Sequence, residues 1–424
     1  MTLSPPPVTL SAEDDALLDL VQRQSLRFFD EGGHPVSGLA RDRTFIDRDP
    51  ANDLVCAGGS GFGAMAFVVA VERGWIARGA AVERLSAMVE TLGRAACHHG
   101  MLPHFLDGRT GDTIPFSPQD NGGDVVETAL ALQGFLCARA YFNGEDAKER
   151  ALVEAITALY AAAEWDFYTQ DREVLYWHWS PTSGWALNHE IRGWNECLIA
   201  YVLAAGSPTH PIKPAVYHQG FAAGRDFRNG RVFEGIELPL GPEGGGPLFF
   251  TQYSFCGLDP WGLSDRYADY WEQNRRHTLI NYRYCQRNPL GHKGYGPACW
   301  GLTASDDPDG YAAHAPTNDT GVISPTAALS AFPYAPNEAM AALRHFSGPL
   351  RDQLWGRFGF VDAFCPSRDW TAETFLAIDQ GPVVAMIENF RSGLLWRVFM
   401  AIPEVRAGLQ ALDFRLPPPP AARA

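Results

Sequence analysis

Basic residues are scarce in this chain. Against 49 Asp and Glu stand 34 Lys and Arg, a formal net charge of −15 over 424 residues. Such a surface disfavours nucleic acid, anionic membranes and polyanionic substrates, and it suits a neutral ligand. No run reaches the roughly 18 consecutive apolar residues that would span a bilayer. The opening "MTLSPPPVTLSAEDD" lacks a basic region followed by an apolar core, so no signal peptide is read. A cytoplasmic location is therefore expected, or a periplasmic one if a leader preceded this segment. None of the eight cysteines, Cys56, Cys97, Cys137, Cys197, Cys256, Cys285, Cys299 and Cys365, has C-x-x-C spacing, which argues against a zinc site or a disulfide scaffold. They read as small buried hydrophobes. His98, His99 and His104 lack useful metal-ligand spacing and read as ordinary. There is no G-x-S-x-G, no P-loop and no dinucleotide fingerprint. No metal and no cofactor are expected.

What is present is a globular chain, 46% hydrophobic and 20% charged. Its length allows two average domains or one large toroidal one. Aromatic residues make up 12%. They concentrate in "WDFYTQDREVLYWHWSPTSGW", where aromatic faces offer platforms for flat ligands or sugar rings. Helical patterns recur from "SAEDDALLDLVQRQSLRFF", capped by Ser11, to "PEVRAGLQAL". Fully apolar patterns such as "GFGAMAFVVAVERGW" roughly alternate with amphipathic ones, as paired inner and outer helices closing a ring would require. Only "EVLYWHW" and "LFFTQYSF" read as short strands, and "LPLGPEGGGP" reads as a long loop at a ring mouth. No linker separates two domains. The expected organisation is an extended segment over 1–12, one domain over 13–413 and a proline-rich tail over 414–424.

Four stretches carry acids. In "QDNGGDVVETALAL", Asp124 and Glu127 have capping-box spacing at a helix start. Asp120 is a third acid that capping does not need. Clustered carboxylates raise the pKa of one member unless a cation intervenes, which is raw material for acid/base chemistry. In "GWNECLIAYVL", Asn195 is the expected N-cap and Glu196 stands in the first turn. Trp177, Trp179, Trp185 and Trp194 would desolvate Glu196 and fit it as a general acid. In "LAIDQGPVVAMIENFRSGLLW", Pro382 fits the first helical position, with Asp379 and Gln380 before it. Glu388 and Arg391, three apart, would form a buried ion pair and so hint at an interior polar channel. "WGLTASDDPDGYAAHAPTNDTG" does not fit an EF-hand and reads as a polar loop.

The chain resembles the bacterial glycoamylase-like glycoside hydrolases, which include endo-β-1,2-glucanases and a domain of cyclic β-1,2-glucan synthases. The resemblance rests on "GGDVVETAL", "LYWHWSP", "GWNE", "SPTHP", "GLDP", "GYGPACWGLTASD", "ISPTAALSAFPY", "WGRFGFVDAF" and "LAIDQGPVVAMIENFRSGLLW", in that order from about Leu17 to Leu409. It implies an all-α (α/α)6 barrel, with long loops and short strands forming a cleft at one end. It implies action on β-linked glucose polymers without a metal. The family's acidic constellation falls on Asp120, Asp124, Glu127 and Glu196, and more loosely on Asp379. The expectation is an inverting hydrolase of β-1,2-glucan or its oligosaccharides, with Glu196 as acid and Glu127 as base or nucleophile. Trp177, His178, Trp179, Trp185, Trp194, Tyr295 and Trp300, with Asp379, Glu388 and Arg391, are its expected substrate-binding residues. The partner expected is a carbohydrate, with no nucleic acid or membrane, and the protein is expected to be a monomer. A retaining transglycosylase, an exo-acting sophorose-releasing enzyme and a non-catalytic glucan-binding protein are the alternatives.

Overall fold

Ser11 starts the first helix: its hydroxyl accepts the Asp14 amide at 3.1 Å, and acids fill the first turn. The computed structural model describes residues 10–144 and 146–416, so most of the extended N-terminal segment and of the tail lies outside the described residues. Phe414 is buried. The helices in chain order are α1 (Ala12–Asp30), α2 (Ala57–Glu72), α3 (Arg78–Arg94), α4 (Val125–Tyr141), α5 (Ala147–Ala161), α6 (Leu198–Ala205), α7 (Tyr270–Arg287), α8 (Pro325–Leu329), α9 (Pro336–Ser347), α10 (Arg351–Leu354), α11 (Ala377–Arg391), α12 (Leu394–Met400) and α13 (Pro403–Ala411).

Two layers follow from residue type. Helices α2, α4, α6 and α11 are buried along nearly their whole length, and α11, α2, α4 and α6 pack side by side in that order. Amphipathic helices cover them: α1 lies on α11 and α2, α5 on α4 and α3, and α13 on α6. The closest approach is between α2 and α4. A Cβ on Gly134 would come within 1.8 Å of the Gly61 carbonyl oxygen, so only glycine permits that contact. Among the described residues, no helix is long and apolar enough to cross a membrane.

Strands are short and paired in twos and threes. Part of "EVLYWHW" does form one: His178–Trp179 pairs antiparallel with Gly123–Asp124. "LFFTQYSF" does not. It makes two 3-10 turns, Leu248–Thr251 and Ser254–Cys256. Helical side chains take the place of a sheet partner there: Gln133 donates to the Tyr253 carbonyl at 3.0 Å and Asn389 to that of Cys256 at 2.9 Å. The glycine-rich stretch expected as one long loop begins as a strand, Ile236–Leu240, hairpinned to Arg228–Phe233. The stretch read as a polar loop contains a hairpin, Ala304–Asp307 with Gly310–Ala313.

Two helix starts differ from expectation. Helix α6 begins at Leu198, because Asn195 spends its side chain on the Cys197 amide in a turn that precedes the helix. Glu196 therefore stands on that turn. Helix α11 begins at Ala377, placing Asp379 inside its first turn and Pro382 within the helix.

Candidate active site

Backbone pairing assembles the first acid cluster. Asp124 lies opposite His178 in the short antiparallel pair, and its amide donates to the Leu102 carbonyl at 2.8 Å. This brings Asp124 and Asp120 to His178 and, beyond Leu102, to His104. Asp124 is 0% exposed. Its Oδ1 accepts the amides of Val126 and Glu127, both at 2.9 Å, which is the N-cap read from sequence. Its Oδ2 lies 3.4 Å from His104 Nδ1 and 3.5 Å from His178 Nε2. His178 Nε2 is also 3.1 Å from Asp120 Oδ2.

These neighbours decide the charges. Burial opposes the Asp124 carboxylate, but His104 and His178 hold it well below the usual carboxylate range. Burial likewise opposes the imidazolium forms. Even so, Glu127 and Asp124 push His104 up to about 10, and Asp120 and Asp124 push His178 up to about 9. His104 is thus part of the site, and reading it as ordinary is corrected. Three-residue spacing rules do not see it, because the loop and the helix that meet there lie about twenty residues apart. His104, Asp120 and Asp124 each offer a ligand atom within 4.8 Å of the others, so this corner could hold a metal ion.

Glu127 reaches from the first turn of α4 to the start of α2, where its Oε2 accepts the Gly58 amide at 2.7 Å. A Cβ on Gly58 would meet that oxygen at 2.8 Å. Burial raises the Glu127 pKa, while His104 and the Gly58 amide pull it back. Glu196 is half-buried, with its backbone carbonyl accepting the Ser254 hydroxyl. Desolvation, then the nearby charges of Asp124 and Glu127, push its carboxyl up to about 7.

A second acid cluster adjoins the first. Strand Arg43–Phe45 pairs with Thr374–Leu376, and the Ala377 amide donates to the Asp42 carbonyl at 2.9 Å. Asp42 thereby meets Asp379. Arg43 pairs with Asp306 at 3.0 Å, Thr374 donates its hydroxyl to Asp306, and the Asp306 amide donates to Asp362 at 2.6 Å. Burial and the Asp306 charge push Asp362 up to about 7. Burial and Asp362 hold Asp379 well above the usual range, so the two share a proton. Asp379 Oδ2 and Asp362 Oδ1 have no hydrogen-bond donor. Asp42, Arg43, Asp306 and Asp362 were missed from sequence. The available signal was a lone acid within apolar "GFVDAF" and the acid in "TASDD".

Other expected residues divide. Trp177 and His178 stack beside His189, at the edge of a cavity of about 760 Å³ lined by Phe116, Asp120, His178, Leu187 and Arg192 among others. Trp179 packs edge-on to His99 and Phe167, and Trp185 lies against Phe167 and Tyr168. Tyr295 is half-buried and donates to Asp319 at 2.6 Å. Trp194 and Trp300 are core residues, 2% and 0% exposed, and present no face to a ligand. Trp194 packs on Phe227, Phe255 and Tyr270. Glu388 and Arg391 do not pair with each other. Glu388 binds Arg73 at 2.8 Å and Arg391 binds Asp15 at 2.8 Å, because α11 lays its C-terminal end against α1 and α2. They line a separate depression of about 470 Å³, nine and twelve residues beyond Asp379 on the same helix.

Residues 188–403 match the glycoamylase family, described as "Putative glucoamylase". The chain is 49% identical to an endo-β-1,2-glucanase from Chitinophaga pinensis solved with sophorotriose and glucose. That likeness covers 96% of this chain and 100% of the other, with a TM-score of 0.93. A Bacteroides uniformis structure of the same description as the family is 51% identical, with 97% and 99% covered and a TM-score of 0.93. An exo β-1,2-glucooligosaccharide sophorohydrolase (non-reducing end) from Parabacteroides distasonis is 42% identical over 96% of this chain. The chain spans 59% of that relative's length.

Proposed function

The chain belongs to the bacterial glycoamylase-like family of β-1,2-glucan-active glycoside hydrolases, and from that premise we propose that it hydrolyses β-1,2-glucan or its oligosaccharides with inversion. The domain that does so is a single (α/α)6 barrel, a reading supported by the buried and amphipathic helix layers. The observation that carries the proposal is the convergence of Glu196, Glu127 and Asp124, from the turn before α6 and the start of α4, within electrostatic reach of one another. Glu196, desolvated and repelled by Asp124 and Glu127, keeps a proton near neutral pH and donates it to the leaving glycosidic oxygen. Burial raises Glu127 as well, to about 6, but His104 and the Gly58 amide favour its ionised form, in which it activates water. Asp124, with one oxygen bound to two amides and the other facing the imidazoles of His104 and His178 at 3.4 and 3.5 Å, is an electrostatic anchor. Asp120 orients His178.

A second reading gives the water to the Asp362–Asp379 pair, which shares one proton and so keeps one carboxylate as base, and Asp379 Oδ2 lacks a donor within the protein. Single Glu127→Gln and Asp379→Asn variants separate the two by which abolishes turnover. Linear β-1,2-, β-1,3- and β-1,4-glucans, with products read by chromatography, test the activity. Sophorose or longer β-1,2-oligosaccharides from the first glucan alone are expected, and no product from it would end the proposal. Proton NMR of the first-formed products should show α-anomers. β-Anomers would move the retaining transglycosylase reading ahead.

A further inference from the structure

The chain has 25 phenylalanines, 14 tyrosines and 12 tryptophans, and among the described residues only Phe116 and Tyr311 are largely exposed, at 58% and 50%. Each is tied by its backbone to an acid of one cluster. The Phe116 amide donates to the Asp120 carbonyl at 2.9 Å, closing the turn that carries the Asp120 carboxylate. Its ring lies 4.7 Å from that of His104, and it lines the cavity shared with Asp120 and His178. Tyr311 stands directly opposite Asp306 in the hairpin of Ala304–Asp307 with Gly310–Ala313. Directly opposed residues of an antiparallel pair project to the same face of the hairpin. Its hydroxyl lies within electrostatic reach of Asp379, Asp362, Asp42 and Asp306. An exposed ring with a hydroxyl surrounded by protein marks the lip of a concave site.

Leaving a large apolar ring in water forgoes burial energy, and a chain whose other described aromatics are at least partly covered has kept these two beside its acids. β-Linked glucopyranose carries its hydroxyls equatorially, so its axial C–H groups form an apolar face that fits an aromatic ring. We propose that Phe116 and Tyr311 are the stacking platforms for two glucose rings of the bound chain, one beside each acid cluster. The inference rests on the activity proposed above. It transfers the stacking role from Trp194 and Trp300, which the core has consumed, to two residues outside the tryptophan-rich stretch.

The test is steady-state kinetics on a β-1,2-gluco-oligosaccharide series, with calorimetric binding to Glu196→Gln as a second readout. Phe116→Ala and Tyr311→Ala should each raise KM about 3- to 10-fold, with little change in kcat. Tyr311→Phe should stay within two-fold of wild type, because the ring and not the hydroxyl supplies the surface. In the Glu196→Gln background the same two alanine changes should weaken binding by similar factors. An active wild type with unchanged KM and unchanged binding in both alanine variants overturns the platforms alone. A wild type inactive on every β-1,2-glucan overturns the activity and the platforms with it.

Discussion

Two groups of buried carboxylates adjoin in this molecule, and they are relieved of their mutual repulsion by different means. Around Asp124 the remedy is cationic: His104 and His178 carry the opposing charge, and Asp124 stays ionised. Around Asp379 the only basic side chain paired with the cluster, among the described residues, is Arg43, which serves Asp306 and Asp42, and the remaining repulsion is removed by a proton held between Asp362 and Asp379. The first arrangement keeps a strong negative field, against which Glu196 holds its own proton. The second is close to neutral. A pair of acid clusters is thus no guide to charge until their partners are known.

Breaking the first cluster should cost most. Asp124→Ala strands two imidazoliums and two helix amides, and should destabilise the fold by about 3–5 kcal/mol in urea denaturation. Asp379→Asn replaces an acid that is already protonated, and should change stability by less than about 1 kcal/mol at pH 7. Equal losses in the two variants would erase the distinction between the clusters.

The clusters also differ in the pH at which they fail. Asp362 is raised from 3.8 to about 7, so its proton stabilises the fold fully at the acid end, and that stability is lost as pH rises to about 7. His178 and His104 are raised from 6.5 to about 9 and about 10, so their contribution is full below about 6.5 and is lost as pH rises through those values. Stability measured against pH should therefore fall in two stages. Asp362→Asn should remove the earlier stage and His178→Asn should diminish the later one.

What could be read beforehand followed the range of the interactions. The Ser11 and Asp124 caps are local, and both stand as expected. The buried character of α2 follows from its own composition. The second cluster was invisible because Asp42, Asp306, Asp362 and Asp379 come from four separated segments joined by strand pairing and side-chain bonds. Trp194 and Trp300 misled for the same reason: sequence showed their density, while the fold decided which rings were spent on the core. Glu388 and Arg391 were three apart on one helix, yet the partners each chose lie on α1 and α2.

The smallest effect is expected at that far end of α11. Arg391→Ala should leave kcat/KM within about two-fold of wild type, whatever it does to stability. A large loss of turnover would mean that the depression around Glu388 communicates with the acids.

The account turns on Glu196 holding a proton in the field of the first cluster. The most direct test is the pH dependence of kcat/KM on a β-1,2-gluco-oligosaccharide, for wild type and Glu196→Gln. Wild type should lose activity as pH rises through about 7, where Glu196 gives up its proton. In Glu196→Gln that limb should vanish, with activity down about 10²-fold or more. Near-wild-type turnover in Glu196→Gln, or an alkaline limb that survives the substitution, would contradict it.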